Sequence, residues 1–161
     1  MSNSSKNQPI KVDIQEADFC MKELHEWLLH HSNDSGAIAS FTGLVREHSK
    51  THQNIHSLHL STYEPLAIKQ AQTFAEAAQR QFDVDAIRII HRHGKLKPDE
   101  KIVFVGCASK HRKAAFMAAD FIMDHLKSNL AFWKKEITDK DPNGEWIEPT
   151  NDDKDALKSW Q

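Results

Sequence analysis

Ile102-Val103-Phe104-Val105-Gly106-Cys107-Ala108 leads through Ser109-Lys110-His111-Arg112 into Ala115, Ala118, Ile122 and Leu126, and the fold turns on this stretch. Its first seven residues are apolar without alternation, which reads as a strand covered on both faces. Its later apolar positions recur at intervals of three and four, so a helix over His111 to Ser128 follows. A two-sided strand running into an amphipathic helix requires sheet and helix layers packed together. Just upstream, Ile87 to Ile90 is a second buried strand of the same kind. Lys97-Pro98-Asp99-Glu100 between the two has turn chemistry.

Further toward the N-terminus, Ile10 to Ile14 alternates as a short strand. Glu16 to His31 carries Ala17, Cys20, Leu24, Trp27 and Leu28 at helical spacing, and Asn33-Asp34-Ser35-Gly36 stops that helix. Ala37 to Val45 is apolar and suits a strand, with Gly43 near its end. Arg46 to Asn54 is polar and reads as a mobile loop, and Ile55 to Tyr63 as an alternating strand. Pro65 sits where a first helical turn accepts proline, and Ala67, Ala71, Phe74, Ala78 and Phe82 form the stripe that follows. Toward the C-terminus, Phe132 to Ile137 is a strand, Asp141-Pro142-Asn143-Gly144 a turn, and Trp146-Ile147 its returning partner. The last ten residues are polar, a short helix or tail ending near Trp160. With Met1 to Gln8 read as a disordered start, residues 9–161 make one compact α+β domain with a mixed or antiparallel sheet, three main helices and a C-terminal β-hairpin.

The bulk properties exclude several classes. Among 161 residues, 39% are hydrophobic and 27% charged, and the formal net charge is −2. A broad nucleic-acid surface would bring a basic excess, so any anion site here is local. No apolar run approaches the ~20 residues of a membrane span, and Met1 to Gln8 has no apolar signal core. A cytoplasmic protein is expected. The two cysteines, Cys20 and Cys107, lie in apolar-patterned segments and read as buried free thiols rather than nucleophiles or a disulfide.

Four places carry chemistry. His48, His52, His56 and His59, from eleven histidines in all, are spaced as metal ligands on a helix would be. Their stretch runs from polar loop into strand, however, and a solvated loop is the better reading. Ser109-Lys110-His111-Arg112 places cations at a helix N-terminus, where free N–H groups and the dipole favour an anion. A solvated cap paired with nearby carboxylates is the plain alternative. Gly43-Leu44-Val45-Arg46 ends a strand with a guanidinium able to grip a phosphate. Finally, in Phe132-Trp133-Lys134-Lys135-Glu136 alternation puts Lys134 and Glu136 on one face and Trp133, Lys135 and Ile137 on the other. A lysine among apolar or cationic neighbours has a depressed pKa and can exchange protons near neutrality. Taken singly, an edge-strand lysine that discourages aggregation is the better reading.

Together these motifs are distinctive. Gly36-Ala37 with Phe41-Thr42-Gly43-Leu44-Val45-Arg46, then His91-Arg92-His93-Gly94, then Ser109-Lys110-His111-Arg112 with Ala115-Phe116, then Leu126-Lys127 with Phe132-Trp133-Lys134-Lys135-Glu136, and finally Trp146, stand in an order that resembles the catalytic (large) subunit family of molybdopterin synthases. The resemblance runs from about Ile10 to the C-terminus and implies an α/β-hammerhead-like fold. It also implies a reaction: sulfur from the thiocarboxylate of a small ubiquitin-like carrier, which ends in Gly-Gly, is installed as a dithiolene on cyclic pyranopterin monophosphate. The implied assembly is a homodimer of large subunits with a carrier at each end, and the step requires no metal or nucleotide cofactor. Carried over by position, Lys127 is the first-ranked catalytic residue and Lys134 the second. Leu44, Val45 and Arg46, His111 and Arg112, and Lys134, Lys135 and Glu136, together with Lys127, match substrate-contacting stretches. Three places depart from the family's usual residues: Ala131 stands for Pro, Leu60-Ser61 for Tyr and Glu, and Leu66 for Met.

One geometric expectation follows. His111 and Lys127 lie on one helix, roughly 24 Å apart at ~1.5 Å per residue. A small substrate cannot touch both ends, so either the helix breaks or the site is composed across a two-fold dimer, and the second is expected. The rival readings are a non-catalytic anion- or nucleotide-binding module and, behind it, a histidine-rich metal-binding protein.

Overall fold

The computed structural model describes residues 9–51, 53–147 and 151–161; the start expected to be disordered lies outside them. The two apolar runs form the centre of a sheet. β4 (Ala86–Arg92) and β6 (Lys101–Ser109) pair antiparallel, with β1 (Ile10–Gln15) added parallel to β4 and β2 (Ala37–Leu44) antiparallel to β6. Period-two alternation sends their side chains into two cores. Ile87, Ile89, Val103, Val105 and Cys107 meet Ala71, Ala75 and Ala78 of α2 (Glu64–Phe82) and Ala118, Ile122 and Leu126 of α3 (Arg112–Asn129). On the opposite face Ala86, Ile90, Phe104 and Ala108 meet Leu24 and Leu28 of α1 (Met21–His31). Each large side chain so buried contributes about 1.5–3 kcal/mol. That double coverage is why these strands are continuously apolar.

A second four-stranded sheet has the order β5-β3-β7-β8. It is built from β3 (Ile55–Thr62), β5 (Gly94–Leu96), β7 (Phe132–Thr138) and β8 (Trp146–Ile147). Its inner face carries a small core of Val45, Leu58, Leu60 and Leu96, against which Ile102 of the first sheet and Phe132 pack. The C-terminal hairpin is as expected: Gly144 has φ +67, and β8 returns with Lys134 opposite Ile147 and Lys135 opposite Trp146. The polar tail forms a fourth helix, α4 (Asn151–Lys158), joined to α3 where Ser128 Oγ donates to the Asp153 carbonyl at 2.8 Å. Beyond it Trp160 packs on Phe82 and Phe121 and donates from Nε1 to Asp124.

Three expectations are corrected. α1 begins at Met21 rather than Glu16 because side chains capture the backbone before it: Asp18 Oδ1 accepts from the Phe19 amide at 2.8 Å, and Gln15 Nε2 donates to the Ala17 carbonyl at 2.9 Å. Such local bonds compete with helix. Ala17 and Cys20, read as inward, are therefore exposed; only Cys107 is a buried thiol. The stretch after Arg46 is a bonded hairpin rather than a free loop, closed by Ile55 N to Glu47 O and Ser49 N to Gln53 O, both 2.9 Å. Last, β5 adds a strand after the His91-Arg92-His93-Gly94 motif, where Gly94 turns the chain with φ +90.

Candidate active site

Arg46 is aimed by its neighbour. The β2–β6 register shifts after Gly43, where an added Cβ would stand 2.8 Å from Val103 Cγ1, so the two strands approach closely there. Immediately after it, Val45 is gripped by the Lys97–Glu100 turn: its amide donates to the Glu100 carbonyl and its carbonyl accepts from the Asp99 amide, both at 2.9 Å. Asp99 is held left-handed at φ 68 to make that grip. The Val45 side chain, 3% exposed, belongs to the inner core, so Val45 anchors the segment while exposed Leu44 and Arg46 face outward.

Lys127 occupies the last turn of α3, where the helix dipole favours a cation. Its Nζ stands 3.9 Å from Asp153 Oδ1 of α4. Two residues, Leu130 and Ala131, then lead into β7. Pairing of Leu60 with Lys134 and Leu58 with Glu136 confirms the expected alternation, since directly opposed residues share a face. Lys134 and Glu136 thus rise from the face that holds the small apolar core. Lys135 lies opposite, its Nζ 5.0 Å over the Trp146 ring and beside His59, whose pKa burial lowers first and Lys135 and Lys95 lower further.

The electrostatics identify the cluster. Burial holds the Lys134 ammonium below the ordinary lysine value; Arg46, Lys127 and Lys50 push it further down, and Glu136 opposes them. Arg46, Lys127 and Glu136 thus all lie near enough to act on the charge of Lys134. Lys50 joins them from a hairpin whose sequence shows only polarity. Beside Glu136, a cavity of about 310 Å³ opens between Ser49, Thr51 and Gln53 and the β7–β8 ribbon at Thr138, Glu145 and Ile147. A lysine whose pKa is lowered, beside an arginine and two further lysines, can hold an anionic group and move a proton beside it.

His111 and Arg112 stand apart. They begin α3, exposed, in a first turn without acidic residues, and form no ion pair with another described residue. The cap is solvated, as the plain alternative has it, but its cations are not paired with described carboxylates. The helix runs unbroken from Arg112 to Asn129, so one chain does not bring this pair to Lys127.

The histidines of the polar stretch go to separate partners. His48 bridges Asn54, His56 Nε2 meets Asp139 Oδ1, and His59 Nε2 lies 3.0 Å from Ser57 Oγ; His52 is outside the described residues. Among the described residues, no group of three or more His, Cys, Asp or Glu is arranged to hold a metal. Burial pushes the Cys107 thiol up to about 12, which makes it inert, and no helix among the described residues is long and apolar enough to cross a membrane.

Comparison with known proteins gives the chain's family and fold relatives. The chain is 39% identical over 150 residues to the molybdopterin synthase catalytic subunit of Mesorhizobium japonicum, covering 93% of this chain and 92% of that one. It is 36% identical over 151 residues to the Escherichia coli protein of the same name, covering 93% and 97%. A solved structure, the molybdopterin biosynthesis MoaE protein from Burkholderia ambifaria, superposes with a TM-score of 0.79 at 31% identity, covering 94% of this chain and 97% of that chain. The model of the MoaE protein family matches residues 14–129, most of both helical layers and the first sheet, and the chain belongs to that family.

Proposed function

We propose that this chain, as the catalytic subunit of a molybdopterin synthase in the cytoplasm, transfers sulfur onto cyclic pyranopterin monophosphate with Lys127 as its principal catalytic residue and Lys134 as its second. The sulfur comes from the C-terminal thiocarboxylate of a small ubiquitin-like carrier. The observation that carries the reading is Lys134: half-buried, lowered in pKa, and surrounded by Arg46, Lys127 and Lys50. The substrate brings a cyclic phosphate, for which Arg46 supplies a planar fork. As sulfur replaces oxygen and the phosphate ring opens, protons must be delivered and removed, and a lysine poised below its usual pKa does both. Glu136 limits how far that lowering goes, Lys135 supports the strand from its other face, and Leu44 borders Arg46.

His111 and Arg112 enter the same site from the second subunit of a homodimer. Phe41 and Phe116, exposed by 44% and 65%, lie on β2 and α3 and offer apolar surface for a second copy to cover. The carrier docks on each large subunit of the resulting heterotetramer, with its Gly-Gly tail reaching Lys134. The direct test incubates the protein with thiocarboxylated carrier and the cyclic pterin. Dithiolene product is expected, and a competent carrier that yields none would sink the assignment.

A further inference from the structure

Lys127 and Lys134 belong to different layers. Lys127 sits on α3, packed over the first sheet, and Lys134 on β7 of the second. α3 and β7 share almost no direct packing, so the placement of one lysine against the other passes through the link Leu130-Ala131.

That link is held at one residue. The Ala131 amide donates to Gln70 Oε1 at 2.8 Å, and Thr62 Oγ1 donates to the Ala131 carbonyl at 2.7 Å. The Phe132 amide donates back to the Leu130 carbonyl at 2.8 Å, closing a three-residue turn centred on Ala131. Ala131 is not among the positive-φ residues, so this is the inverse γ-turn, with a central φ of about −75°. Gln70 reaches the turn from α2, the helix packed on α3, and Thr62 from the end of β3, the strand paired to β7. Each lysine's own support thus contributes one half of the grip.

We propose that Gln70, with Thr62, is a positioning residue: the two clamp the peptide groups of Ala131 and so set Lys134 against Lys127. The inference rests on the assignment of those two lysines. It makes a particular rescue possible. Proline fixes φ near −65° and has no N–H to leave unpaired. Leu130, at φ −77° and ψ 140°, already occupies the region that a residue before proline adopts. Ala131→Pro would therefore fix covalently what Gln70 fixes by a hydrogen bond.

The test uses the reconstituted enzyme with thiocarboxylated carrier and cyclic pterin. Gln70→Leu removes the acceptor and should lower kcat about tenfold, equivalent to about 1.4 kcal/mol, with KM changed by less than about twofold. Gln70→Glu keeps an acceptor oxygen and should stay within about twofold of the parent. Gln70→Leu combined with Ala131→Pro should recover most of the lost kcat. If Gln70→Leu does not fold, Thr62→Val reads the other half of the clamp, with the same fall in kcat expected. An unchanged kcat in the first variant that folds overturns the proposal, and so does a loss that Ala131→Pro leaves unrepaired, which would mark a merely structural role. Undiminished turnover in Lys127→Ala and Lys134→Ala is a different failure: it removes the site assignment itself.

Discussion

At the scale of single residues, Lys134 is governed by neighbours of opposite effect. Arg46 lowers its pKa and Glu136 raises it, both through charge. Removing either should move the same limb of the pH–rate profile in opposite directions. In Arg46→Gln a cation is lost, the ammonium becomes easier to keep, and the limb moves to higher pH. In Glu136→Gln an anion is lost and the limb moves to lower pH. The direction holds whether Lys134 acts as acid or base, because both forms titrate at the same value. Measuring kcat against pH for the two variants checks this, and shifts of the same sign would show that Lys134 is not the group observed. Lys127→Ala should lower turnover roughly 10²- to 10⁴-fold while leaving pterin binding nearly intact, read by turnover and by equilibrium titration of the substrate. A non-catalytic anion site would lose binding instead.

At the scale of elements, His91 ties the end of β4 to β7. Its ring lies 4.2 Å from that of Phe132, and its Nδ1–H donates to the Arg92 carbonyl at 2.8 Å. Burial lowers its pKa from 6.5 to about 4. On acidification the unfolded chain takes up this proton first, so stability is full above about 6.5 and is lost as pH falls toward about 4, by up to about 3 kcal/mol. His91→Phe should flatten that loss, measured as urea midpoints across the pH range, at a cost of about 1 kcal/mol at neutral pH for the missing hydrogen bond. How much the sequence discloses differs by element for physical reasons. α2, α3, β4 and β6 are legible because period and burial agree: every inward position read for α3, Ala115, Ala118, Ile122 and Leu126, is buried. The start of α1 is hidden because Asp18 and Gln15 divert the backbone with hydrogen bonds that periodicity does not register. β5 is too short to show alternation, and its pairing with β3 is long-range. Of the site, Arg46, Lys127, Lys134 and Glu136 are legible together only through family resemblance. Lys50, Asp153 and Gln70 reach them from sequence-distant elements with no local pattern to mark them.

At the scale of the whole molecule, the length of α3 decides how a site can be assembled. Arg112 and Lys127 are at opposite ends of one unbroken helix, more than 20 Å apart at ~1.5 Å per residue. A pterin monophosphate does not bridge that distance, whereas the proposed two-fold dimer would supply Lys127 from one subunit and Arg112 from the other. The consequence is quantitative. In a dimer of one Lys127→Ala chain and one Arg112→Ala chain, one site receives both substitutions and the other receives neither. Two inactive homodimers, exchanged to equilibrium at equal amounts, place about half of their chains' sites in mixed dimers and leave half of those intact. About a quarter of the parent activity per site should return. If Lys127 and Arg112 instead served one site within the same chain, every site in the mixture would lack one of them and activity would stay at the level of the separate variants. Turnover of the exchanged mixture, with exchange followed independently by differently tagged chains, separates the two arrangements.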